Sequence, residues 1–164
     1  PSSAGAGVPG QRMLIQGQQH IEVGASHPPY NSDPPTSGWH YDTPIRAGFY
    51  EEPQTDEYVV HNLEHGHIVI SYDCSKLPDC EDTKYQLRRL LNAYNGWKVT
   101  VVPRTNVDAA IALTAWGWID KLDSYDAVSY THLRAHETVL DLVCRLLLEK
   151  KKTYNNQNEP LLPN

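Results

Sequence analysis

The residue types best equipped for chemistry are crowded into HNLEHGH, residues 61–67, which carries His61, Glu64, His65 and His67. If this run is helical, His61 and His65 stand one above the other with Glu64 beside them, and Gly66 ends the turn before the next strand. If it is extended, His61, His65 and His67 share a face and Glu64 points away. Both geometries bring two imidazoles together. His40, in the preceding segment, is the natural outside ligand, and His20 and His67 are further candidates for a fourth group. Imidazole nitrogens and a carboxylate oxygen suit copper and zinc alike, so the donor types do not choose between them.

The same run formally matches the H-x-x-E-H pattern of inverted zinc peptidases, in which Glu64 would be the catalytic base for a zinc-bound water. Those enzymes carry the motif inside a long helix and need a further acidic ligand downstream. Here Gly66 and the β-branched run after it break a helix at once, which favours a binding module over an enzyme. A third reading makes the domain an extracellular interaction or scaffold element: Asn62 and Glu64 satisfy a turn, and the histidines bond to backbone without any metal. A second distinctive segment is PPTSG, residues 34–38. Pro34 and Pro35 stiffen the chain, Thr36 and Ser37 can bond nearby backbone, and Gly38 permits a tight turn, so its role reads as conformational rather than nucleophilic.

These residues need elements to position them. Residues 20–55 interrupt themselves with Pro and Gly every few positions and read as a coil-rich, proline-rich wrap pinned by Tyr30, Trp39, Tyr41, Phe49 and Tyr50. Regular structure is expected from about Tyr58. HIVISY, 67–72, reads as a strand; DTKYQLRRLLNAYNG, 82–96, as a helix with Asp82 as N-cap and Gly96 as its stop; WKVTVV, 97–102, as a second strand; and AIALTAW, 110–116, as a third. Strand, helix, strand in that order predicts a βαβ unit with parallel strands. The fold class is α+β, or small α/β, with a mixed sheet, and Trp116, Tyr72 and Tyr94 belong to its core. Cys74 and Cys80 flank SKLPD, whose Pro78 can turn the chain back. In an oxidising compartment the pair closes a small disulfide loop; in a reducing one it is two surface thiols.

Three spans differ in composition. Residues 1–19 are rich in Gly, Ser, Ala and Gln and read as a flexible N-terminal segment; residues 20–126 are one domain; residues 127–164 are expected to be non-native. The last expectation rests on AVSYTHLRAHET and LVCRLLLEKKK, which resemble a conceptual translation of a transposase-type sequencing adapter, running to about residue 152. Its periodic leucines predict a helix over residues 128–152 that adds nothing to the core. Setting it aside leaves nine Lys and Arg against sixteen Asp and Glu, a net charge of −7, with no basic stripe. That balance excludes a nucleic-acid partner. No run approaches the roughly 20 apolar residues of a membrane span, so the domain itself makes no membrane contact. The chain starts at Pro1 rather than Met, and an upstream or downstream anchor is compatible with it.

PPTSGWHY (34–41), HNLEHG (61–66) and ALTAWG (112–117), taken together, resemble the family catalogued as domain of unknown function 3105. That family occurs in bacterial exported proteins and is related to an animal tumour-suppressor-inducible membrane protein family. The resemblance covers roughly His20 to Asp126. It departs at Trp39, where proline is usual, at His67, where glycine is common, at Trp118, where arginine usually follows, and at Val107, near which a methionine often stands. The resemblance implies an extracellular or secretory-lumen location, which fits the disulfide, and it implies no reaction.

Overall fold

The structure is a computed structural model that describes residues 10–122. The expected helix at 128–152, and every other expectation for the tail, lies outside the described residues.

The centre is a mixed six-stranded sheet with two helices, an α+β arrangement. Its strands are β1 (Gln11–Arg12), β4 (Gly48–Phe49), β5 (Ile68–Tyr72), β6 (Val99–Pro103), β7 (Ile111–Ala115) and β8 (Trp118–Leu122), in the order β1-β8-β7-β5-β6-β4. β5 and β6 run parallel, with Ile70 opposite Val101, and β7 lies antiparallel on the other side of β5, with Ile70 opposite Leu113. Two short strands, β2 (His20–Ile21) and β3 (His40–Tyr41), form a separate parallel pair.

Every residue of β5 is buried, because a helix covers each face of the sheet. The side chains sort by the two-residue period of a strand. On one face Ile68, Ile70, Val99, Val101, Ile111 and Leu113 pack with Leu87, Leu90 and Leu91 of α2 (Cys80–Ala93). On the other, Val69 and Val102 pack with Val59 and Leu63 of α1 (Asp56–Glu64), joined by half-buried Trp116, Ile45 and Tyr50. Trp116 therefore borders the core rather than filling it.

α2 begins earlier than its sequence pattern implies. Its N-cap is Asp79, whose carboxylate accepts from the Asp82 N–H, rather than Asp82 itself. Cys80 thereby enters the first turn and joins Cys74 in a disulfide with a Cα–Cα distance of 5.1 Å. Gly96 lies just past the helix at φ +66°, the left-handed conformation that suits glycine, and its N–H bonds to Leu91 O.

The chain before α1 is a strap that packs against that helix through β3 and joins the sheet through β4. Its first part, residues 10–19, is tied down by β1 on β8, by Met13 N–H to Gly117 O, and by Gln16 N–H to Ser37 Oγ at 3.0 Å. Pro34 to Gly38 are all buried. Thr36 O accepts the Gly117 N–H, and the Asp33–Pro34 bond is cis. A side chain at Gly38 (φ +114°) would meet the Tyr30 ring at 3.2 Å, so this glycine is required both by conformation and by space. Ser37 is an acceptor within this packing, consistent with a conformational role. Among the described residues no helix is long and apolar enough to cross a membrane.

Candidate metal centre

α1 is nine residues long and ends where HNLEHG turns. Asp56 and Glu57 stand in its first turn, where negative charge complements the helix dipole. At its end Gly66 adopts φ +76°, Gly66 N–H bonds to Leu63 O, and His67 N–H bonds to Asn62 O, the paired bonds of a Schellman stop. The helical geometry for His61, Glu64 and His65 is thus the one adopted. Val59 and Leu63 turn to the sheet, while His61 bonds through Nδ1 to Tyr41 O of β3 and Glu64 lies against His40. Asn62 is fully buried, and its amide accepts from Ile45 N–H and donates to Ile45 O, both at 2.9 Å. It clamps the chain after β3 onto α1.

The β2–β3 pairing sets His20 directly opposite His40, and β3 sets both against α1. His20, His40, His61 and Glu64 each offer a ligand atom, all within 4.8 Å of one another. Metal–ligand bonds of roughly 2.0–2.2 Å place the donors of a tetrahedral ion about 3.3–3.6 Å apart, so the widest-spaced donors must draw together by roughly 1.2–1.5 Å to close around one ion.

The ring orientations are fixed from behind. His40 Nδ1 lies 2.7 Å from Gly38 O, and His61 Nδ1 lies 2.6 Å from Tyr41 O. A carbonyl oxygen only accepts, so both Nδ1 atoms carry the proton. His20 Nδ1 faces the Asp42 carboxylate at 3.2 Å. Glu64 Oε2 is 3.0 Å from His40 Nε2 and 3.5 Å from His20 Nε2. Burial pushes the Glu64 carboxyl up, but His40 and His20 together outweigh it and hold its pKa below the ordinary glutamate value. His40 and His61 are buried, whereas the His20 side chain is 46 % exposed and that of Glu64 22 %, so the group opens to solvent on the His20–Glu64 side. Trp116 stands edge-on to His40 at 6.3 Å between ring centroids.

Two histidines considered from the sequence lie elsewhere. His65 is exposed, at the helix end, with its Nε2 2.8 Å from His61 Nε2, and is not one of the four clustered residues. His67 lies beyond the turn with Nδ1 3.4 Å from Asn62 Nδ2; burial, then Lys98 and His65, lower its pKa. The residue the sequence ranked as peripheral, His20, is a full member. Asp42 behind it was not singled out, because a lone exposed aspartate after HY carries no pattern.

No curated protein and no solved structure matches the chain. A family match runs over residues 23–136, well over half of the 164, and takes in His40, His61 and Glu64, with His20 three positions before its start. By that match the chain belongs to the family described as Protein of unknown function (DUF3105).

Proposed function

We propose that this domain binds one transition-metal ion, copper or zinc, through the Nε2 atoms of His20, His40 and His61 and a carboxylate oxygen of Glu64. The observation that carries the reading is the set of Nδ1 partners. Gly38 O, Tyr41 O and Asp42 each engage the Nδ1 of one ring, which directs the Nε2 atoms of His40 and His20 to Glu64 and leaves that of His61, met by His65, as the third donor. Partners of this kind fix tautomer and orientation around bound metals. Three imidazoles and a carboxylate whose ligand atoms lie within 4.8 Å of one another form a donor set that an ion would complete.

The reading is a binding module rather than a hydrolase. In the inverted peptidase pattern Glu64 would stand clear of the ligands as a base, whereas here its carboxylate contacts His40 and His20. The Cys74–Cys80 disulfide supports placing the domain in an extracellular or secretory lumen. The acidic balance disfavours a polyanionic partner.

The test is calorimetric titration of the purified protein with zinc and with copper, beside a His20→Ala/His40→Ala/His61→Ala variant. One equivalent bound by the wild type and lost in the variant is the expected result. Equal binding by the two proteins overturns the reading.

A further inference from the structure

His61 and His65 are one helical turn apart at the end of α1. Their planes differ by 15° and their centroids are 4.7 Å apart, while the two Nε2 atoms approach to 2.8 Å. That centroid distance is close to the nitrogen separation plus two ring radii. The rings therefore meet edge to edge, nitrogen to nitrogen, rather than face to face. Two nitrogen lone pairs repel at such a distance, so one proton lies between them. His61 gives its own proton to Tyr41 O through Nδ1, which leaves its Nε2 as the acceptor and the His65 Nε2–H as the donor.

This acceptor lone pair is the one a metal ion needs. We propose that His65 is a built-in competitor for the candidate metal centre: its N–H caps the His61 donor nitrogen in the metal-free protein and must let go before the ion is held. The inference rests on the metal-binding reading above and assigns regulation of affinity at that site. The position of His65 suits the part. It caps the helix, its carbonyl oxygen takes a 2.9 Å hydrogen bond from Lys98 Nζ, and its exposed side chain can swing into solvent. His65 is not one of the four clustered residues, so letting go of His61 leaves those four donors in place.

His65→Ala removes the competitor and keeps all four ligands. A typical hydrogen bond has a net worth equivalent to roughly a 2- to 12-fold change in an equilibrium constant, so zinc affinity is expected to rise by that factor. The second measurement needs no metal: nitrogen-15 NMR of the histidine side chains in the metal-free wild type should reveal a coupling between His61 Nε2 and His65 Nε2 through the shared proton. One equivalent of zinc should abolish it. Zinc binding by the wild type with no gain, or a loss, in His65→Ala overturns this inference and leaves the metal reading standing. Absence of the coupling in folded, metal-free protein also overturns it. No zinc or copper binding by either protein overturns both.

Discussion

Arg104 offers the sharpest test of how the strap and α1 are kept in place. It follows β6 and forks onto Asp56, with Nη1 2.5 Å from Oδ1 and Nη2 3.0 Å from Oδ2, while its Nε donates to Asp33 Oδ1 at 2.7 Å. Asp56 opens the helix bearing His61 and Glu64, and Asp33 precedes the buried PPTSG turn that leads to His40. One guanidinium thus ties both halves of the candidate site to the end of the central sheet. Replacing it with methionine keeps much of the apolar stem and leaves two carboxylates facing each other. Removing one partner of a fully buried pair costs about 3–5 kcal/mol, and an exposed pair contributes about 0–1 kcal/mol. Arg104 and Asp56 side chains are 22 % and 27 % exposed, and Asp33 is 52 % exposed, so the loss falls between these limits. About 2 kcal/mol is expected. With a urea m-value of about 2 kcal/mol/M, typical of small domains, the midpoint drops by about 1 M. An Arg104→Met/Asp56→Asn double variant should lose less than the two single losses combined, because much of the cost is the stranded carboxylate. A midpoint shift below about 0.25 M, or full additivity, would refute the assignment of this contact as a clamp.

His27 should make stability pH-dependent. Its Nδ1 faces Pro28 O at 2.7 Å and its Nε2 faces Glu57 Oε1 at 2.9 Å, both acceptors, and the Glu57 bond raises its pKa against the opposing effect of burial. A raised folded value means the contribution is fully present below the unfolded histidine value of about 6.5 and is lost as pH rises through the folded one. Wild type should therefore lose more stability than His27→Gln between about pH 5.5 and 8.5, and parallel pH profiles of the two proteins in urea melts would sink the assignment. The Cys74–Cys80 loop, with a sequence separation of 6, is short, and loop-closure entropy sets its contribution at about 2 kcal/mol. The Cys74→Ser/Cys80→Ser protein should unfold at correspondingly lower urea, and an unchanged midpoint would count against that value.

Much of this protein is legible in its sequence because local rules and tertiary context agree there. The alternation in HIVISY, the leucine stripe of α2, the β-branched run near residue 99 and the apolar run near residue 111 each announce an element, and each has its counterpart in β5, α2, β6 and β7. Adjacency in the chain likewise put His61, Glu64 and His65 in one region, since neighbours in sequence cannot be far apart. The Gly66 stop was readable for the same reason: a left-handed residue after an apolar turn is local chemistry.

What the tertiary structure alone decided is which histidines face one another. β2 and β3 are two residues each, too short for any periodicity, and their pairing across a 20-residue separation brings His20 to His40. That pairing depends on a strap anchored elsewhere, through Asn62 to Ile45 and Arg104 to Asp33, contacts whose partners are distant in sequence. Within HNLEHG the sequence offered His61 and His65 as equals. Docking of Val59 and Leu63 on the sheet fixed the rotation of α1, turning His61 and Glu64 beneath β3 and leaving His65 at the exposed helix end, bonded to His61. Residue type and spacing thus named the donor chemistry, and the packing of one short helix against a strap chose which donors share a site.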